Sequence, residues 1–134
     1  MQEVFVDTVH LLALVNPRDQ WRDIALDRAA TITAPLVTTH AVLVEVADAL
    51  CRPGHRNLAS KAITTIREDS DFTCVPVDEE LFARALALYS ERDDKPWSLT
   101  DCISFEVMRE RRIDRAFTAD HHFVQAGFRA LLLE

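Results

Sequence analysis

All five prolines and both glycines of this chain fall between segments of regular apolar periodicity, so the punctuation divides the sequence into alternating short apolar runs and amphipathic stretches. Glu3 to Val6 reads as a short buried strand, and Thr8 to Val15 as a helix stopped by Asn16-Pro17. Trp21, Ile24, Ala25, Ala29 and Ile32 fall at helical spacing behind an Asp19 cap, which predicts an amphipathic helix to Thr31. Leu36 to Thr38 is a strand. Ala41 to Cys51, apolar around most of its circumference, is a helix packed on the sheet and closed by Pro53-Gly54, and Leu58, Ala59, Ala62, Ile63 and Ile66 mark the next one. Phe72 to Val77 is a strand with Pro76 at its end or at a sheet edge. Asp78 then caps a helix carrying Leu81, Phe82, Ala85, Leu86 and Tyr89 on one face. After a loop from Asp93 to Trp97, Ser98 opens a strongly apolar helix, Arg115 to Thr118 is a strand, His121 to Gln125 a short helix, and Arg129 to Leu133 a last strand. Strands separated by helical stretches of about ten residues or more need crossover connections, so the expected architecture is a three-layer α/β/α sandwich with a mainly parallel central sheet.

A length of 134 residues suits one domain over 1–134 with a real core, and 49% apolar with 28% charged residues is the balance of a soluble globular protein. No apolar stretch approaches the ~18 residues of a membrane span, and Asp7 interrupts an N-terminal run that lacks a basic leader; the expectation is a cytoplasmic protein without membrane contact. Cys51, Cys74 and Cys102 form no C-x-x-C pair and read as buried reduced thiols. A net charge of −7 argues against holding nucleic acid on a broad basic surface, yet leaves a nuclease open, because divalent cations relieve the strain of clustered carboxylates. There is no Gly-rich phosphate loop and no local Ser-His-Asp or Cys-His motif.

Four acidic residues remain. Asp7 closes the run Val4-Phe5-Val6, Asp120 follows Phe117-Thr118-Ala119, Asp101 stands at the mouth of an apolar helix, and Glu45 lies inside another. Residues just past the carboxyl ends of parallel strands share one crevice. Each also has a structural reading. Asp7 and Asp120 can cap the helices that follow them, Ser98-Leu99-Thr100-Asp101 fits a capping box, and Glu45 can belong to a solvent stripe with Ala41, Asp48 and Arg52. For Asp7 burial weighs against capping alone, since a carboxylate at the end of a central strand is costly unless paired or bound to metal. His121 and His122 adjoin Asp120, but neighbours on a helix diverge, which argues against their pairing on a metal. His10, His40 and His55 read as structural or solvated. Arg109, Arg111, Arg112 and Arg115 read as a solvated cluster near a helix C-terminus, Trp21 as core, and Trp97 either as a stacking platform for a base or as a cover on the core.

The segments Phe5-Val6-Asp7-Thr8, Val42-Leu43-Val44-Glu45-Val46-Ala47, Trp97-Ser98-Leu99-Thr100-Asp101-Cys102 and Phe117-Thr118-Ala119-Asp120-His121-His122-Phe123 together, in this order along the whole chain, resemble the PIN-domain ribonucleases of the VapC toxin type. The resemblance implies that Asp7, Glu45, Asp101 and Asp120 form an acidic catalytic site binding Mg²⁺ or Mn²⁺, with the hydroxyls of Thr8, Ser98 and Thr100 behind them. It further implies a central first strand, cleavage of RNA phosphodiesters, toxin members silenced by an antitoxin protein that occupies the groove, and a homodimer. Hard Mg²⁺ prefers oxygen ligands and keeps several waters, which suits a few carboxylates. A PIN-like RNA- or protein-binding module without catalysis is the competing class, and the four matched carboxylates speak against it. A phosphoacceptor domain would need a lysine after a late strand, and Lys61 and Lys95 are the only lysines; a phosphatase would need a second aspartate after Asp7-Thr8.

Overall fold

The computed structural model describes residues 2–134. Its five strands are β1 (Val4–Val6), β2 (Leu36–Thr39), β3 (Phe72–Val75), β4 (Arg115–Phe117) and β5 (Arg129–Ala130), all parallel, in the order β3-β2-β1-β4-β5. β1 is central and buried along its whole length, as its uninterrupted Val-Phe-Val requires of a strand covered on both faces. Phe5 pairs with Val37 on one side and Ala116 on the other.

The helices are α1 (Thr8–Val15), α2 (Arg22–Thr31), α3 (His40–Ala49), α4 (Arg56–Glu68), α5 (Glu79–Glu91), α6 (Leu99–Glu110) and α7 (His121–Gln125). The chain steps outward from β1 to β2 and β3, then returns across the sheet to β4 and β5. Right-handed crossovers therefore put α1 to α4 on one face and α5 to α7 on the other. The packing agrees: α1 lies against α2, α3 and α4, while α6 lies against α5 and α7. The expected parallel α/β architecture is what forms. Among the described residues no helix is long and apolar enough to cross a membrane.

Several elements differ from expectation for identifiable reasons. The last strand stops at Ala130, and Leu131–Leu133 turns into a 3-10 helix, a single turn that seats Leu131 in the main core and Leu132 in a separate cluster with Ala13 and Ala25. Asp19 does not cap α2; its carboxylate accepts from the Trp21 amide in a preceding turn, and the helix begins at Arg22. On α5, Leu81 and Ala85 are buried and Leu88 half-buried, whereas Phe82, Leu86 and Tyr89 are exposed. Two interleaved stripes of identical spacing occur there, and small Ala85 is the residue that permits close approach to α6. Trp97 is a cover on the core: it is buried edge-on against Phe105, with its indole N–H donating to Gln125 and Arg92 over its ring. The thiols are free, but Cys51 is exposed, Cys74 half-buried and only Cys102 fully buried. Two of the four clustered arginines are held in ion pairs, Arg111 with Glu3 and Arg109 with Glu106.

Candidate metal centre

The sheet order reverses direction at β1 and β4, so the crevice outside their carboxyl ends is the topological switch point. Asp7 follows β1 there, and Thr118, Ala119 and Asp120 follow β4. The helix α6, which leads back into β4, presents its N-terminus at the same end and brings Asp101 with it.

Asp7 is buried, and its Oδ2 accepts a 2.8 Å hydrogen bond from the Thr118 hydroxyl. Its side chain makes no capping bond to the first turn of α1. Burial pushes its pKa up to about 7; the Thr118 hydroxyl and the Thr8 amide pull the other way, and the nearby charges of Asp101 and Asp120 add to the rise. The Thr118 hydroxyl in turn accepts from the Asp120 amide at 3.1 Å, so one buried side chain ties the ends of β1 and β4 together.

Asp101 and Asp120 cap their helices and also face each other across the crevice. Ser98 and Asp101 close the expected capping box, with the Asp101 amide donating to Ser98 Oγ and the Ser98 amide to Asp101 Oδ2. Asp120 Oδ1 accepts from the His122 amide at the start of α7. Capping holds each carboxylate in one orientation, which a ligand needs as much as a helix does. Capping and clustering are therefore compatible. Glu45 is half-buried, and its Oε1 accepts a 2.7 Å bond from the Thr8 hydroxyl, which turns it toward the chain leaving Asp7 rather than into the solvent stripe. Of the expected supporting hydroxyls, Thr8 holds Glu45 and Ser98 holds Asp101; Thr100 contributes its carbonyl, to the Ser104 hydroxyl.

Two residues beside the cluster were not among the expected site residues, one unremarked and one weighed and set aside. Thr118 is one; the signal was a polar side chain ending an otherwise apolar strand. His122 is the other. His121 is exposed and diverges as expected, but the His122 Nδ1 lies 2.9 Å from Asp101 Oδ2 and 3.4 Å from Asp120 Oδ1. Asp101, Asp120 and His122 each offer a ligand atom, all within 4.8 Å of one another. Beneath them Phe105 and Phe123 pack edge-on at 5.0 Å, fixing α7 on α6. His10, by contrast, is a core residue: it is buried, stacked on Phe117, and burial pushes its pKa down to about 4, which keeps it neutral.

A buried carboxylate at a strand end, flanked by two helix-capping carboxylates at a topological switch point, defines a class: parallel α/β proteins with an acidic cluster at the carboxyl edge of the sheet, a donor set that could hold a cation. The PIN domain family model matches residues 4–129, and the chain belongs to the PIN-domain family, of the VapC type. It is 32% identical over 126 residues, 93% of this chain and 95% of the relative, to the 23S rRNA-specific endonuclease VapC20 of Mycobacterium tuberculosis, in strains CDC 1551 / Oshkosh and H37Rv alike. The crystal structure of Mycobacterium tuberculosis VapC20, a sarcin-ricin loop cleaving toxin, matches with a TM-score of 0.87 at 30% identity, covering 93% of this chain and 95% of that one.

Proposed function

We propose that this chain is a divalent-metal-dependent endoribonuclease that hydrolyses RNA phosphodiester bonds as the toxin of a toxin–antitoxin pair. The observation that carries it is the convergence of Asp7, Asp101 and Asp120 at the switch point, with Asp7 unpaired by any lysine or arginine among the described residues. The donor set fits a hard or borderline cation, Mg²⁺ or Mn²⁺. Asp101 and Asp120 would hold it directly, with Asp7 behind them and Glu45 at the margin.

A bound divalent ion supplies positive charge against the scissile phosphate and acidifies a water. The protein's own part is orientation. Thr118 aims Asp7, Ser98 fixes Asp101, the α7 amide fixes Asp120, and Thr8 fixes Glu45. The N-terminus of α6 lies at the same crevice, and the positive end of its dipole favours an anionic substrate. Ribosomal RNA is the first substrate to test, by likeness to the relative of that specificity.

The reading also includes a cognate antitoxin protein and a homodimer, supported by membership of the VapC type; the exposed Phe82, Leu86 and Tyr89 on α5 are the kind of surface a second chain covers. An RNA substrate implies work in the cytoplasm. One domain over 1–134 accounts for the reading. The test is cleavage of ribosomal RNA by purified wild type and Asp120→Asn, with Mg²⁺ or Mn²⁺ and with chelator. Metal-dependent cleavage lost in the folded variant supports the proposal; equal cleavage by both proteins overturns it.

A further inference from the structure

We infer that His122 is a nitrogen ligand of the ion held by Asp101 and Asp120, and that this donor makes the centre select Mn²⁺ over Mg²⁺. The inference rests on reading the acidic site as a divalent-cation centre and goes beyond it, because the family resemblance supplies carboxylates alone.

The geometry is the argument. In an octahedral site with bonds of about 2.1 Å, adjacent ligand atoms stand about 3 Å apart. His122 Nδ1 lies 2.9 Å from one carboxylate oxygen and 3.4 Å from another on a different element, close to that spacing on both sides. The ring is held there from two directions. The Asp120 cap fixes the His122 backbone at the start of α7, and buried Phe123, next along the helix, anchors α7 against Phe105. With Nδ1 on the ion, Nε2 carries the ring proton, the tautomer a ligating imidazole adopts.

Mg²⁺ binds through one or two carboxylates and its own waters and gains little from a nitrogen, whereas imidazole suits first-row transition ions. Mn²⁺ accepts both donor types. His122 thus distinguishes two ions that a purely carboxylate site would treat alike.

The experiment uses the full chain loaded with Mn²⁺, read by electron spin echo envelope modulation for nitrogen coupling, together with calorimetric titration of Mn²⁺ and of Mg²⁺. Wild type and His121→Ala should show coupling from a directly coordinated nitrogen. His122→Ala and His122→Gln, confirmed folded by circular dichroism, should lose it, with Mn²⁺ affinity down about tenfold or more and Mg²⁺ affinity changed far less. Bound Mn²⁺ without nitrogen coupling in wild type, or equal weakening of both ions in the variants, overturns the inference and leaves His122 as a strut for Asp101, while the centre itself stands. Absence of binding by either ion overturns both.

Discussion

Glu3 and Asp7 bracket the same strand, yet their carboxyls are treated in opposite ways. Glu3 enters β1 and meets Arg111, whose guanidinium donates to both of its oxygens and holds its pKa below the usual carboxylate value. Asp7 leaves β1 into the core, meets a hydroxyl instead of a cation, and is pushed up to about 7 by burial. One end of the strand neutralises its acid within the chain; the other leaves three acids facing a crevice. Among the described residues arginines pair with Glu3, Glu106 and Glu110 and none pairs with Asp7, Asp101 or Asp120, the charge balance that the proposed cation site requires.

The largest expected effect is on activity. Asp101→Asn keeps an oxygen that accepts the Ser98 amide, so the cap survives while the charge is lost. Lewis-acid stabilisation is worth several kcal/mol, so RNA cleavage should fall about a thousandfold while the melting temperature in chelator stays near wild type. Cleavage within about tenfold of wild type would show that the crevice end is no more chemical than the Glu3 end.

Next is the pH dependence of the metal-free protein. Because the folded pKa of Asp7 stands above its unfolded value of 3.8, the native state holds this proton more tightly. The stabilisation is fully present below about pH 4, is lost as pH rises to about 7, and is on the order of 4 kcal/mol over that window. Asp7→Asn should remove this fall and be more stable than wild type at pH 8 in chelator, while a divalent ion should raise the wild-type melting temperature there. Melting curves across pH 4 to 8 measure both. A wild-type curve that rises over the same window would mean that Asp7 resembles Glu3 after all.

Much of this contrast was legible in the sequence. Prolines and glycines marked the elements, and acids placed after apolar runs marked the edge of a parallel sheet, because a strand end is a position in space as well as in sequence. Less legible was anything decided by which way a helix turns. The two equivalent stripes on α5 could not be told apart by spacing, and the bond that turns Glu45 toward Thr8 joins two helices that spacing along one of them does not relate. His122 was obscured for a related reason. Neighbouring histidines do diverge, but one can still face a carboxylate from another helix, and only the approach of α6 to α7 brings Asp101 there.

Thr118→Val tests the hydroxyl that stands in for a cation beside Asp7. It removes the donor to Asp7 and leaves the Asp120 amide without its acceptor, at a cost of about 1–3 kcal/mol. Since that hydrogen bond favours the charged carboxylate, the stability midpoint of Asp7 should move up by about one pH unit and divalent binding should weaken about tenfold. Calorimetric titration at fixed pH together with the melting series reads both. Weaker binding with no movement of the midpoint would place the effect on Asp120 rather than Asp7.

The smallest effect belongs to the other end of the strand. Glu3→Gln breaks the paired hydrogen bonds to Arg111, but both side chains are partly open to water, so solvent screens the pair and the loss should stay below about 1 kcal/mol. Its sign with pH is opposite to that of Asp7. A carboxyl whose folded pKa is lowered adds stability above its unfolded value, and that stability is lost as pH falls through the folded value, so Glu3→Gln should matter at neutral pH and vanish in acid. Added salt should shrink the difference further, and RNA cleavage should be unchanged. A large loss of cleavage in Glu3→Gln would mean that the two ends of β1 are coupled through the strand.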